Sequence, residues 1–275
     1  MRITPRYFEN LKRKRKGRYV RIGKINVYYE TYGTGKPLLL LHGGLSCIDG
    51  LRYQIPFFAG HFRVILPERP GHGHTADIPG SYTYERMARQ TAAFMDKLKL
   101  RNARLMGYSD GANILYRLAA TRPDLVERFI SVGGNFHYSG CEPVFQRDLQ
   151  KKKISELEID LRYAAYSPDG AAHYPSVYEK CRKLWLTEPR WKTGLIRQIK
   201  AMALILAGDR DMIRQEHTLT LYRNLQKAQL AIVPGATHGL LKEKPGIVNA
   251  IMLEFLRQSS RASSKKFFKK KINSL

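Results

Sequence analysis

The sequence predicts an α/β fold: a mostly parallel central sheet flanked by helices, interrupted once by an inserted helical cap. Three observations predict it. Short, wholly apolar runs bounded by glycine, such as Pro-Leu-Leu-Leu-Leu at 37–41, read as strands buried on both faces, the mark of a parallel sheet. These runs alternate with stretches of helical periodicity, the pattern of βαβ units. The stretch 135–200 breaks that rhythm with helical segments and many aromatics, and reads as an insertion.

Taken in order, 18–23 and 25–32 alternate and are rich in β-branched and aromatic residues. Gly23-Lys24 between them suits a tight turn, so a hairpin is expected. The apolar runs at 37–41 and 63–66 follow as the first two parallel strands. In 84–100, Met87, Ala88, Thr91, Phe94, Met95 and Leu98 recur at three- and four-residue steps, which predicts a helix. A third strand at 103–106 leads into Gly107-Tyr108-Ser109-Asp110-Gly111 and a helix over about 112–120, stopped by Arg122-Pro123. A fourth strand is expected at 129–132. Within the insertion, 144–165 is helical in places and 177–186 is helical. Strands at 203–206 and 230–233 complete the sheet, and a helix over 245–256 with Pro245 in its first turn closes the fold. The domain reading is a basic arm at 1–17, a core from 18–134 and 201–258, a cap at 135–200, and a basic tail at 259–275. No internal repeat is visible.

The chain has 275 residues and a formal charge of +25. Such a length supports a core without staples. Its 43% apolar content is too high for a disordered chain. Three cysteines with no CxxC pair exclude a disulfide framework or zinc ribbon. No apolar run is long enough to span a membrane and no apolar stretch follows the basic start, so a cytoplasmic location without a secretory leader is expected. Three-fifths of the excess charge lies in 1–21 and 257–275. These ends read as solvated arms, since dense like charges resist compaction. They could serve solubility, or contact nucleic acid or anionic membrane with the help of Phe267 and Phe268. The oligomeric state is not legible.

The chemistry resides in three residues. Ser109 sits in Gly-x-Ser-x-Gly between a strand and a helix, where a sharp turn lifts its hydroxyl above the sheet edge. A serine hydroxyl needs a base to take its proton, and the base needs an orienting carboxylate. Asp211, after the 203–206 strand, is the expected acid, with Asp209 as the fallback. His238, in Pro-Gly-Ala-Thr-His-Gly after the last strand, is the expected base. Backbone N–H groups of Gly44 or Leu45, in Leu-His-Gly-Gly-Leu, and of Asp110 are the expected oxyanion donors. His42 is expected to brace that loop. His72 and His74 lack a third ligand at metal spacing, so no metal is expected. His137, His173 and His217 are expected to be structural or solvated. Phe136 and Tyr138 are candidate substrate-binding residues among the cap aromatics.

Five segments carry a resemblance: Leu-His-Gly-Gly (41–44), Arg-Pro-Gly-His-Gly-His (69–74), Gly-Tyr-Ser-Asp-Gly (107–111), Gly-Asp-Arg-Asp (208–211) and Pro-Gly-Ala-Thr-His-Gly (234–239). In this order, each at a strand end, they resemble the α/β-hydrolase superfamily, and are similar to its small cap-bearing biphenyl hydrolase-like and carboxylesterase-type enzymes. Relatives often carry Asp-x-Arg-Gly-x-Gly-x-Ser where this chain has Glu68-Arg69-Pro70-Gly71-His72-Gly73-His74-Thr75. The resemblance implies a serine hydrolase of a carboxylic ester, an amide or an amino-acid ester, acting on a small-molecule substrate without cofactor. The same machinery serves carbon–carbon bond hydrolysis, perhydrolysis and acyl transfer. A non-catalytic binding protein using its basic arms is the alternative of another class. Asp110 either complements the helix dipole or, as in some relatives with Ser-Asp-Gly, receives a substrate ammonium.

Overall fold

The structure, a computed structural model, describes residues 17–258. The basic tail expected at 259–275 and all but Gly17 of the basic arm lie outside the described residues. Eight strands form one sheet: β1 (Arg18–Ile22), β2 (Ile25–Tyr32), β3 (Pro37–Leu41), β4 (Arg63–Pro67), β5 (Ala103–Tyr108), β6 (Val126–Val132), β7 (Met202–Arg210) and β8 (Ala228–Thr237). Their order is β1-β2-β4-β3-β5-β6-β7-β8. The β1–β2 hairpin and the β2–β4 pair are antiparallel, and every other pairing is parallel. The hairpin turns at Gly23, whose φ of 59° is one that a glycine adopts without strain.

The helices are α1 (Ile55–Ala59), α2 (Tyr84–Lys97), α3 (Asp110–Thr121), α4 (Pro143–Lys151), α5 (Leu161–Tyr166), α6 (Tyr174–Thr187), α7 (Thr193–Arg197), α8 (Gln215–Asn224), α9 (Leu240–Glu243) and α10 (Pro245–Arg257). In β3, Leu39 and Leu41 join the core with α2 and α3, while Leu38 and Leu40 join that with α1, α9 and α10. Alternate side chains point to opposite faces, so a strand with no polar position requires helices on both sides, as the apolar run predicts. Helices α4 to α7 fall between β6 and β7, in the stretch read as an insertion.

Two boundaries differ from the sequence reading for physical reasons. Helix α2 begins at an N-cap, Thr83, whose side chain accepts the Arg86 N–H. It ends three residues before the expected Leu100. Lys99 turns left-handed (φ 54°), and the Leu100 N–H bonds to Met95 O at 2.8 Å while Lys99 N–H bonds to Asp96 O at 3.0 Å. This is a Schellman end, and it folds the buried Leu100 back against the helix rather than along it. Strand β8 runs beyond the expected apolar stretch because its pairing with β7 resumes, after an irregularity at Gly208, at Arg210 opposite Thr237.

Candidate active site

That last pairing builds half the site. Asp211 and His238 each follow directly on the paired residues Arg210 and Thr237, so register alone makes them neighbours. Ser109 follows β5 directly, at the same carboxyl edge of the sheet, where open parallel sheets present their ligands.

Ser109 occupies a backbone conformation, φ 54° and ψ −116°, that a residue with a Cβ rarely adopts. The two glycines around it make the turn sterically possible. A Cβ on Gly107 would lie 2.3 Å from Gly111 O, and one on Gly111 would lie 2.4 Å from Leu41 O. His238 Nε2 stands 3.0 Å from Ser109 Oγ, and His238 Nδ1 stands 2.7 Å from Asp211 Oδ1. The buried Asp211 also accepts the Ile213 N–H at 3.0 Å, which fixes its carboxyl group. Since Nδ1–H donates to Asp211, Nε2 presents its lone pair to the hydroxyl. Asp209, the fallback acid, instead accepts the Ala236 N–H at 3.1 Å and braces the loop that carries the histidine. Tyr108 adds a second brace: its hydroxyl donates to His238 O at 3.0 Å, and burial, then the charge of Asp211, push its pKa to about 12.

The turn after β3 is held by residues outside it. Arg69 donates to His42 O at 2.5 Å and to Gly43 O at 2.9 Å, and its own N–H donates to His42 Nε2 at 3.2 Å. His42 is therefore neutral, with Nδ1–H donating to Gly43 O, and burial followed by the Arg69 charge hold its pKa well below the usual range. His72 accepts the Leu45 N–H on Nε2 at 3.1 Å and donates from Nδ1 to Pro70 O at 2.9 Å. Burial, then Arg69, lower its pKa to about 3. This corrects one expectation: the Leu45 amide is taken by His72. Gly44 and Asp110 both line the cavity that contains Ser109, and Asp110 opens α3, where a helix leaves its first amides without internal partners. The buried Glu68 holds the rest of the Arg69 loop through the amides of Ile48 (3.2 Å) and His74 (2.6 Å) and through His74 Nδ1 (2.8 Å).

The cavity measures about 180 Å³. Beside Ser109 and His238, it is lined by Tyr84, Trp185, Phe145, Glu188, Cys141 and Ile213, among others. Burial pushes the Cys141 thiol up to about 12, so it stays protonated. Phe136 and Tyr138, the expected substrate-binding pair, are not among the lining residues. Phe136 stacks on His217 at 4.1 Å, and Tyr138 lies under the Arg190 guanidinium at 5.2 Å. Asp110 does line the cavity, but its carboxylate is engaged: Oδ1 accepts from Tyr84 and Trp185 at 2.9 Å each, and Oδ2 faces Arg69 at 3.6 Å. The reading of Asp110 as a free acceptor for a substrate ammonium is thus corrected to that of a counter-ion for Arg69. Sequence reasoning passed over Arg69, Tyr84 and Glu188. The departure at 68–75 from the usual pattern was the one signal for the first.

A parallel sheet with this order, an elbow serine and a histidine–carboxylate pair at its carboxyl edge define an α/β hydrolase. Residues 36–157 match the family model described as alpha/beta hydrolase fold. The (E)-2-((N-methylformamido)methylene)succinate hydrolase of Acinetobacter baylyi is 27% identical over 161 residues, covering 58% of this chain and 60% of that protein. The 2-hydroxy-6-oxo-2,4-heptadienoate hydrolase of Pseudomonas putida is 26% identical over 264 residues, 86% of this chain and 94% of that protein. Among solved structures, a meta-cleavage product hydrolase from Pseudomonas fluorescens shares the fold with a TM-score of 0.75 at 21% identity, covering 87% of this chain and 97% of its own. The chain has the α/β-hydrolase fold, its residues 36–157 carry that family's match, and it is a hydrolase. Among its described residues no helix is long and apolar enough to cross a membrane.

Proposed function

We propose that the protein hydrolyses a carboxylic ester through an acyl-enzyme on Ser109. The observation that carries this reading is the unbroken relay from Ser109 Oγ through His238 to Asp211, at 3.0 and 2.7 Å. In the proposed cycle, His238 Nε2 takes the Ser109 proton as Oγ attacks the acyl carbon. Asp211 holds the imidazole tautomer and stabilises the imidazolium. The amides of Gly44 and Asp110 stabilise the oxyanion, where charge develops only in the transition state. His238 then protonates the leaving alcohol, and a water activated by the same nitrogen releases the acid and restores the hydroxyl. Residues 135–200 act as a cap that contributes Trp185, Phe145 and Glu188 to the cavity wall.

Carbon–carbon bond cleavage is the competing reading, because relatives carry that kind of name. The heptadienoate in the Pseudomonas putida hydrolase's name is a carboxylate. Among the described residues the cavity lining holds Glu188 and no lysine or arginine, Asp110 being paired with Arg69, so a substrate carboxylate would meet like charge there. An ester without a second carboxylate fits this wall better. A fluorophosphonate probe should label Ser109, and Ser109→Ala should abolish both labelling and turnover of p-nitrophenyl esters. Undiminished turnover by that variant would refute the mechanism.

A further inference from the structure

We propose that Trp185 sets the length of acyl chain the site accepts, and that Asp110 is the positioning residue that holds its indole there. The proposal deepens the ester-hydrolase reading of the same site and rests on it. The chemistry gives the cavity two ends. His238 Nε2 protonates the leaving alcohol, so the alcohol stands on the histidine side, where Met212 and Ile213 line the wall just beyond Asp211. The carbonyl oxygen faces the amides of Gly44 and Asp110. The acyl chain is left the direction away from the histidine, past these two residues.

An indole closes that direction. A Cβ on Gly44 would lie 2.5 Å from Trp185 Cζ2 and 2.5 Å from Asp110 Oδ2, so the ring rests directly on the glycine. Trp185 Nε1–H donates to Asp110 Oδ1 at 2.9 Å, and the hydroxyl of the buried Tyr84 donates to the same oxygen at 2.9 Å. A hydrogen bond to a carboxylate is stronger than one between neutral groups. This carboxylate is itself held, because Arg69 faces its other oxygen at 3.6 Å. Trp185 is half-buried, and the helix that carries it, α6, is fixed by Cys181 and Leu184 in the core. The ring is thus pinned at both its backbone and its polar atom. The cavity left beside it measures about 180 Å³, below the roughly 300–1,000 Å³ of sites that enclose drug-sized ligands. A short acyl chain fits between Ser109 and the indole, and a longer one meets the ring.

The p-nitrophenyl esters of acetate, butanoate, hexanoate and octanoate test this. In the wild type, kcat/KM for the octanoate should lie at least about tenfold below that for the butanoate, because overpacking a closed wall outweighs the gain from added methylenes. Trp185→Ala should raise the octanoate-to-butanoate ratio by about tenfold or more, since each methylene that finds apolar cover is worth about fourfold. Trp185→Phe keeps a ring and loses the N–H that Asp110 accepts. It should raise the ratio by about twofold to fivefold, the scale of one hydrogen bond, and it decides the matter if the alanine variant does not fold. Methyl, butyl and hexyl acetate probe the other end, and their relative kcat/KM should stay within about twofold of wild type in either variant. A wild type that hydrolyses octanoate as well as butanoate, a ratio that neither variant moves, or an equal gain for long alcohols overturns the proposal. Calorimetry with n-alkylboronic acids reads the same limit without turnover. Boron takes the Ser109 oxygen, the hydroxyl proton passes to His238, and the alkyl group stands where the acyl chain would. Heptylboronic acid binding the wild type as tightly as propylboronic acid refutes the limit. Absence of both esterase turnover and Ser109 labelling in the wild type refutes the ester reading instead.

Discussion

Replacing Arg69 by methionine should damage stability and turnover together, and a second substitution should partly repair the first. Arg69 is only 6% exposed. It donates to the carbonyls of His42 and Gly43 and faces Asp110 Oδ2 at 3.6 Å. Each hydrogen bond from a charged donor contributes about 1.5–3 kcal/mol net. Stripping a buried carboxylate of its counter-ion costs about 3–5 kcal/mol. These terms describe one network and overlap, so the expected loss for Arg69→Met is about 3–5 kcal/mol. Asp110→Asn should cost less, because Tyr84 and Trp185 keep an acceptor and Arg69 keeps its carbonyls. In the double variant the buried anion is gone, so its loss should fall short of the sum of the single losses by at least about 1 kcal/mol. Released from Arg69, the Gly43–Gly44 peptide loses its fixed direction, and kcat/KM for p-nitrophenyl acetate should drop by about 10²–10³, the scale of one oxyanion donor. Urea titrations read by far-UV circular dichroism give the energies, and steady-state kinetics give the rates. An Arg69→Met protein within about 1 kcal/mol of wild type, or single losses that add to within about 0.5 kcal/mol, would refute the network.

Tyr108→Phe should lower kcat by about three- to tenfold with little change in KM, because losing one neutral hydrogen bond, about 1 kcal/mol, frees the His238 backbone rather than the substrate; an unchanged kcat would remove Tyr108 from the positioning of the base. Stability should decline as pH falls from about 6.5 toward 4, because His217 is held neutral with a pKa near 4 by burial and Arg214, while the unfolded chain takes up a proton near pH 6.5. The sign is that of a depressed folded-state pKa: the contribution is full above the unfolded value and is lost on acidification. Urea midpoints at pH 7.5 and 4.5 measure it, and His217→Gln, which can still accept the Phe136 N–H, should flatten part of the slope; a slope identical in the variant would exclude His217 as a source.

What the sequence displayed and what it hid divide along physical lines. Strand β3 was legible to the residue because five apolar side chains in a row have no other economical solution than two covered faces. The relay was legible because each member directly follows a strand, and glycines at 107, 111, 208 and 239 mark those turns. Helix α8 was not legible: of its ten residues only Thr218 and Leu221 are buried, so no apolar stripe betrays its period. Phe136 and Tyr138 were chosen by side-chain chemistry alone, and chemistry does not say which way an aromatic faces. The same holds for Glu188, one acid among several in 135–200 until the fold sets it against the Tyr84 amide at the cavity wall. Arg69 stood in a segment whose departure from its relatives was visible, but its role depends on carbonyl oxygens at 42 and 43, and backbone acceptors leave no trace in composition.

The histidines around the turn after β3 bear on how pH should act on this enzyme. His72 must be neutral to accept the Leu45 amide, and His42 must be neutral to accept the Arg69 amide. Protonating either would turn an acceptor into a donor facing an N–H, and would add a cation beside Arg69. Burial and the Arg69 charge push both titrations far into acid, to about 3 for His72. The guanidinium that grips the turn therefore also keeps its histidine supports unprotonated. Down to about pH 4 His72 should keep its acceptor nitrogen, so an acid limb in the activity profile above that value does not arise from its titration. His72→Gln, with an amide oxygen for the Leu45 N–H and no titration, makes this testable. The variant should retain the wild-type midpoint of the acid limb in kcat/KM even if its absolute rate falls. A midpoint displaced by one pH unit or more would mean that the turn titrates after all and that His72 supplies the proton site.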